Sequence, residues 1–165
     1  NLKQFGTASM MYSDSYDGWI MCARLPTNSY YWFEEIRSIL TGGIVRYGAS
    51  TYDKYYPLFK CPTENTPFGP SANGLFTYTH YGINTKLTGS TNALSSKNSQ
   101  VKTPSKAIIY GDLLQKNTFS IQYTVYISYR HGKPDPVGQA NLSYFDGHVD
   151  AWKKSELPTT ACDVK

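Results

Sequence analysis

The chain has 165 residues, the size of one ordinary domain, and 40% hydrophobic against 17% charged residues provide a core and exclude disorder. A net charge of +4 without any Lys/Arg cluster argues against nucleic acid as a partner, and no run approaches the ~20 apolar residues of a membrane span. Fifteen Tyr, 13 Gly and 9 Pro describe a turn-rich, β-containing chain of extracytoplasmic type, in which three Cys allow one disulfide but no disulfide scaffold.

Leu2, Phe5, Ser9, Tyr12 and Tyr16 recur at spacings of three and four, one stripe of a helix over 1–17 that Asp17-Gly18 stops. Leu2, Phe5 and Tyr12 are expected to face a sheet, with Lys3 and Gln4 outward. No capping residue with an acidic box opens this helix, which fits truncation of a longer one; by periodicity alone it is an amphipathic N-terminal helix with frayed first residues. A loop or short strand with Cys22 and Pro26 follows. Trp32, Phe33, Ile36, Ile39 and Leu40 then form the apolar stripe of a second helix, Tyr31 to Leu40. Glu34 and Glu35 suit its first turns, and Thr41-Gly42-Gly43 ends it. Tyr47 to Tyr56 has no clean period.

After Cys61-Pro62 and a Pro/Gly/Asn loop, Leu75 to Tyr81 alternates as a strand. Residues 86–104 are rich in Ser, Thr, Asn and Lys and read as a surface loop. Thr103 to Asp112 is a turn into a buried strand. Phe119, Ile121, Tyr123, Val125, Ile127 and Tyr129 alternate with polar residues and give the strongest strand pattern in the chain. Asn141–Phe145 and His148–Trp152 read as a hairpin on a two-residue Asp146-Gly147 turn of type I′. In that register Leu142, Tyr144, Val149 and Ala151 share the apolar face, and Asn141, Ser143, Phe145, His148, Asp150 and Trp152 the other. There is no internal repeat and no second domain.

Asp112, His131, Asp146, His148 and Asp150 are the residues that a sheet edge could gather into a metal or hydrolytic site. The spacings of zinc motifs and EF-type loops are missing, so the plainer reading makes Asp146 a turn residue and has His131 bonding a loop carbonyl. No Gly-Xaa-Ser-Xaa-Gly elbow or phosphate-binding Gly loop is present, and the chain does not read as an enzyme. Cys22 and Cys61 flank the second helix and are the favoured disulfide, leaving Cys162 unbridged near the C-terminus.

Five ordered segments carry a resemblance. Asn1-Leu-Lys-Gln-Phe-Gly with Met11-Tyr12, Asp14 and Asp17-Gly18 is similar to the end of the long N-terminal helix of bacterial prepilin-type proteins. Cys61-Pro62, Tyr81-Gly82-Ile83-Asn84 and Pro104-Ser105 running to Asp112 match further segments of that family, in order. Finally, His131 followed by Asp146-Gly147-His148 resembles its C-terminal tail motif; fourteen residues separate His131 from Asp146, five more than is usual there, and the loop 132–138 absorbs them.

The resemblance implies one α+β, pilin-like domain over 1–165. Residues 1–17 would be the remnant of a long helix packed on an antiparallel sheet, with the second helix as an insertion. It implies a structural subunit of a type IV pilus-like or type II secretion filament. A prepilin peptidase would process the precursor, and an upstream apolar helix would anchor it in the inner membrane. The globular part would be periplasmic or extracellular, and its partners other copies, related pilins and the assembly machinery. No cofactor is implied beyond calcium near the C-terminal loops, for which no ligand set carries over. The alternative, suggested by the aromatic content, is a secreted carbohydrate- or surface-binding module.

Overall fold

Phe5, on the first helix, is the point where the main core converges. A computed structural model describes residues 1–25, 30–42, 57–89 and 96–163; the Tyr47 to Tyr56 stretch lies outside them. Helix α1 (Leu2–Ser15) buries Leu2, Phe5, Ala8 and Ser9 and leaves Lys3 and Gln4 exposed, as its stripe requires. The Phe5 ring meets Trp32, Phe59, Tyr81 and Tyr110 at centroid separations of 5.3–5.6 Å. Edge-to-face and offset contacts of this kind suit aromatic quadrupoles. Arg24–Leu25 (β1) and Tyr30–Tyr31 (β2) pair as a short antiparallel ladder. Helix α2 (Trp32–Thr41) follows directly and stops at Gly42, whose φ of 66° is the left-handed terminus that glycine tolerates. Trp32 of α2 is buried and donates its indole N–H to the Phe119 carbonyl at 2.8 Å.

The main sheet contains β3 (Tyr81–Asn84), β4 (Ile108–Asp112), β5 (Ser120–Ile121), β6 (Gln139–Tyr144) and β7 (Val149–Lys153), in the order β5-β3-β4-β6-β7. All pairings are antiparallel except β3 with β5. One face carries Tyr81, Ile83, Tyr110 and Ser143 beneath α1 and α2. The other carries Ile108, Leu113, Ile121, Ala140, Leu142 and Tyr144, capped by Leu157, Ala161 and Cys162 from the C-terminal segment. A bulge at Ile109 in β4 lets both Ile109 and Tyr110 join the helix-side core while Ile108 stays on the opposite face. Gly82 and Gly111 pair in the middle, where a Cβ would come within 2.8 Å of Ile121 or 2.7 Å of Leu142. The mixed α+β class expected from the sequence is thus observed.

Three sequence expectations are corrected. The hairpin does not close through a two-residue turn. Only Gly147 of the dipeptide has positive φ (87°), whereas type I′ needs two such residues. Gly147 N–H donates to the Tyr144 carbonyl at 3.0 Å and Tyr144 N–H to the His148 carbonyl at 2.9 Å. This is a three-residue loop, a turn over Phe145-Asp146 followed by a left-handed glycine. The extra residue shifts the pairing to Ser143 with Val149 and Leu142 with Asp150. Val149 and Ala151 therefore leave the Leu142 face, and Asp150 and Trp152 join it.

The alternating stretch 119–129 is not one strand. Ser120–Ile121 flanks β3, then a 3-10 turn, Thr124–Tyr126, carries the chain across. Ser128 N–H then bonds the Asp112 carbonyl at 2.9 Å and Leu114 N–H the Tyr126 carbonyl at 2.8 Å. A straight strand could not reach both neighbours. Likewise Leu75 to Tyr81 is mostly irregular. Phe76 bridges Phe68 instead, and the strand begins at Tyr81, where β4 supplies a partner.

Candidate functional site

Three segments distant in sequence meet at the end of β4. Asp112 closes that strand on the helix side of the sheet, completely buried. Its Oδ2 accepts from Asn141 N–H of β6 at 2.7 Å and from His131 Nε2 at 2.9 Å. Its Oδ1 is buried without a hydrogen-bond partner. His131 is fixed by reciprocal backbone bonds with Gln139 at 3.0 and 2.8 Å, which close the loop 132–138. Gly138 permits that closure: a Cβ there would lie 2.3–2.5 Å from the carbonyl oxygens of Tyr129, His131 and Lys133. Asp135 braces the loop from inside, accepting from Ser128 Oγ at 2.6 Å and Tyr129 N–H at 2.7 Å.

Cys61 follows the 3-10 turn Pro57–Phe59 and is fully buried. Its N–H donates to His80 Nδ1 at 3.0 Å. The sulfur lies 3.8 Å from His131 Nε2 and 3.1 Å from Thr63 Oγ1, while Thr63 Oγ1 is also 3.2 Å from His131 Nδ1. Ligand atoms of Cys61, Asp112 and His131 all lie within 4.8 Å of one another, the one such trio among the described residues. Next to it, the Arg130 guanidinium is paired with the Glu64 carboxylate and donates to the Leu113 carbonyl, so its charge is spent locally.

The charges follow from these contacts. Hydrogen bonding to the Asp112 carboxylate, then to Cys61, pushes the His131 pKa up to about 10. Burial pushes the Cys61 thiol up, but hydrogen bonds with His131 and Thr63 outweigh it and hold the pKa below the ordinary thiol value. Burial, helped by the Arg130 charge, lowers His80 to about 4 and keeps that ring neutral as acceptor for Cys61. Burial raises the Tyr81 phenol well above its usual range.

Of the five sequence candidates, the fold joins Asp112 to His131 and leaves the others apart from them. Asp146 and His148 pair with each other at 2.5 Å at the exposed hairpin tip, and Asp150 is exposed with Oδ1 accepting from Ala151 N–H at 2.8 Å. The expectation that His131 bonds a loop carbonyl is corrected, since its ring meets a carboxylate, a hydroxyl and a sulfur. Sequence reasoning missed Cys61 as a member of this group, having assigned it to a disulfide. No Cys22–Cys61 disulfide is present; the Cys61 sulfur is turned to Thr63 and His131. No local signal could have found the grouping, because Cys61 stands 70 residues from His131.

Chemically, a Cys, a His and an Asp invite comparison with a nucleophilic relay, but the order is wrong. In a relay the carboxylate orients one ring nitrogen and the nucleophile faces the other. Here Asp112 and Cys61 both address Nε2, and the sulfur is inaccessible. Comparison of the chain with family profiles, with curated proteins and with solved structures finds no match.

Proposed function

We propose that this chain is the globular part of a pilin-like filament subunit, of type IV pilus or type II secretion type, and that it is not an enzyme. The observation that carries the reading is the mode of docking of α1: one face is seated through Phe5 on a sheet that is antiparallel except at its β3–β5 pairing, while Met10, Met11 and Tyr16 are 41–51% exposed. An amphipathic N-terminal helix bearing outward apolar side chains suits a subunit that packs helix to helix in a filament core. The five ordered sequence segments agree with it, two of them at opposite ends of the chain. On this reading a prepilin peptidase trims a precursor, an upstream apolar helix holds the subunit in the inner membrane, and the sheet coats the filament.

The test is expression of the complete gene in a host with pilus machinery. Processing by prepilin peptidase and recovery of the protein in sheared filaments is the expected result. Cleavage by ordinary signal peptidase and release as a monomer overturns it.

A second reading, a secreted carbohydrate- or surface-binding module, is favoured by one feature. A cavity of about 450 Å³ on the sheet face away from α1 is lined by Tyr144, His148, Asp150 and Trp152. Retention on a polysaccharide that is lost in Trp152→Ala would favour this module over the filament subunit.

A further inference from the structure

We propose that Cys61, Asp112 and His131 form a zinc site with three protein ligands and one open position. The inference stands independently of the filament reading.

Geometry is the first argument. A tetrahedral zinc with ligand bonds of about 2.0 Å to nitrogen and oxygen and about 2.3 Å to sulfur sets its N and O about 3.3 Å apart and its N and S about 3.5 Å apart. The His131 Nε2 to Asp112 Oδ2 distance is 2.9 Å, and Nε2 to Cys61 Sγ is 3.8 Å. These two distances need adjustments of only a few tenths of an ångström, and all three ligand atoms already lie within 4.8 Å of one another.

The second argument is an unexplained atom. Asp112 Oδ1 is buried, in a residue 0% exposed, and has no hydrogen-bond partner. A carboxylate oxygen in that position normally has a donor or a cation. Oδ2 keeps the Asn141 N–H, so a cation engaged by both carboxylate oxygens satisfies Oδ1 without freeing the carboxylate from β6.

Charge and outer contacts agree. One thiolate and one carboxylate neutralise a dication, so the filled site buries no net charge. For His131 to ligate through Nε2, the proton it now shares with Asp112 leaves for solvent, and any thiol proton of Cys61 leaves with it. Nδ1–H then donates to Thr63 Oγ1, already 3.2 Å away, which fixes the tautomer as outer-sphere partners of metal-bound histidines do. The sulfur ligand selects zinc over calcium, which takes oxygen ligands only. The His131 side chain is 21% exposed and gives the ion a path from solvent and a water its place on the fourth position.

The decisive experiment starts from the chelator-treated, metal-free chain. Zinc is titrated in competition with a chromophoric chelator, and cobalt(II) is added to a second sample for its absorption spectrum. Expected are one zinc per chain and a thiolate-to-cobalt charge-transfer band. Cys61→Ser and His131→Gln should each weaken zinc binding by roughly 100-fold or more, and Cys162→Ser, altered on the opposite face of the sheet, should leave it unchanged. The melting temperature should climb with zinc concentration in the wild type and not in Cys61→Ser. Absence of the charge-transfer band in the wild type overturns the proposal, and needs no variant to fold. Zinc affinity retained in Cys61→Ser, or a melt that responds to calcium and not to zinc, overturns it as well.

Discussion

Two aspartates each hold a histidine in this chain, and the two pairs have little else in common. Asp146 and His148 are two residues apart, on a turn, with 36% and 44% of their side chains exposed. Their partnership is a product of local geometry: any chain that turns there brings them together. Asp112 and His131 are 19 residues apart, with the carboxylate fully buried and a backbone N–H from a third strand on the same oxygen. That pair exists only when β4, β6 and the loop 132–138 are in place. An exposed pair gains little because water and ions screen it. A buried one is bound to its surroundings, because losing either member leaves polar groups with no water to turn to.

Replacing the buried carboxylate should have the largest effect. Asp112→Ala is expected to lower unfolding free energy by roughly 3–5 kcal/mol, measured by denaturant titration of the metal-free chain. A loss below that of the hairpin pair would erase the distinction.

Glu34 is the intermediate case, a buried carboxyl with Tyr31 N–H on Oε2 at 2.8 Å and Oε1 without a hydrogen-bond partner. Burial, the dominant influence, raises its pKa from 4.5 to about 7. The folded state thus holds the proton more tightly than the unfolded one. The stability this gives is complete below pH 4.5, falls as pH rises to about 7 and is level above it. The decline should be on the order of 3 kcal/mol. Glu34→Gln should flatten it in pH-dependent melts, and an unchanged slope would place the titrating group elsewhere.

Gly147→Val tests the turn that brings the exposed pair together. A φ of 87° disfavours any side chain, the more so a β-branched one, and a Cβ would meet Met10 Cε at 3.1 Å. A loss of roughly 1–2 kcal/mol is expected, with faster amide exchange confined to β6 and β7. Smallest of all, Asp146→Ala and His148→Ala should each stay within about 1 kcal/mol of wild type in the same melts. A larger loss at His148 that depended on calcium would put the metal chemistry at the hairpin rather than at Cys61.

Local pattern alone was enough for α1, α2, β4 and the existence of the hairpin. Each is written within a few neighbouring residues: a 3.6-residue apolar stripe from Leu2 to Tyr12, acidic first turns and a glycine stop around Trp32–Thr41, an apolar run into Asp112, an Asp-Gly between alternating stretches. The same pattern failed where a second partner had a say. The alternation of 119–129 is real, yet two different neighbours claim its two ends, and the chain bends at Thr124–Tyr126 to serve both. The hairpin register turned on the φ of one aspartate, and a one-residue difference took Val149 off the Leu142 face and put Trp152 on it. The Asp112 and His131 candidates were legible as residue types, but the grouping was not. Cys61 joins them across 70 residues, because a β4 carboxylate, a loop imidazole and a turn sulfur converge only once the strands are in register. Periodicity reports which side of an element faces inward; what it meets there depends on contacts between elements, and those are fixed by the tertiary fold.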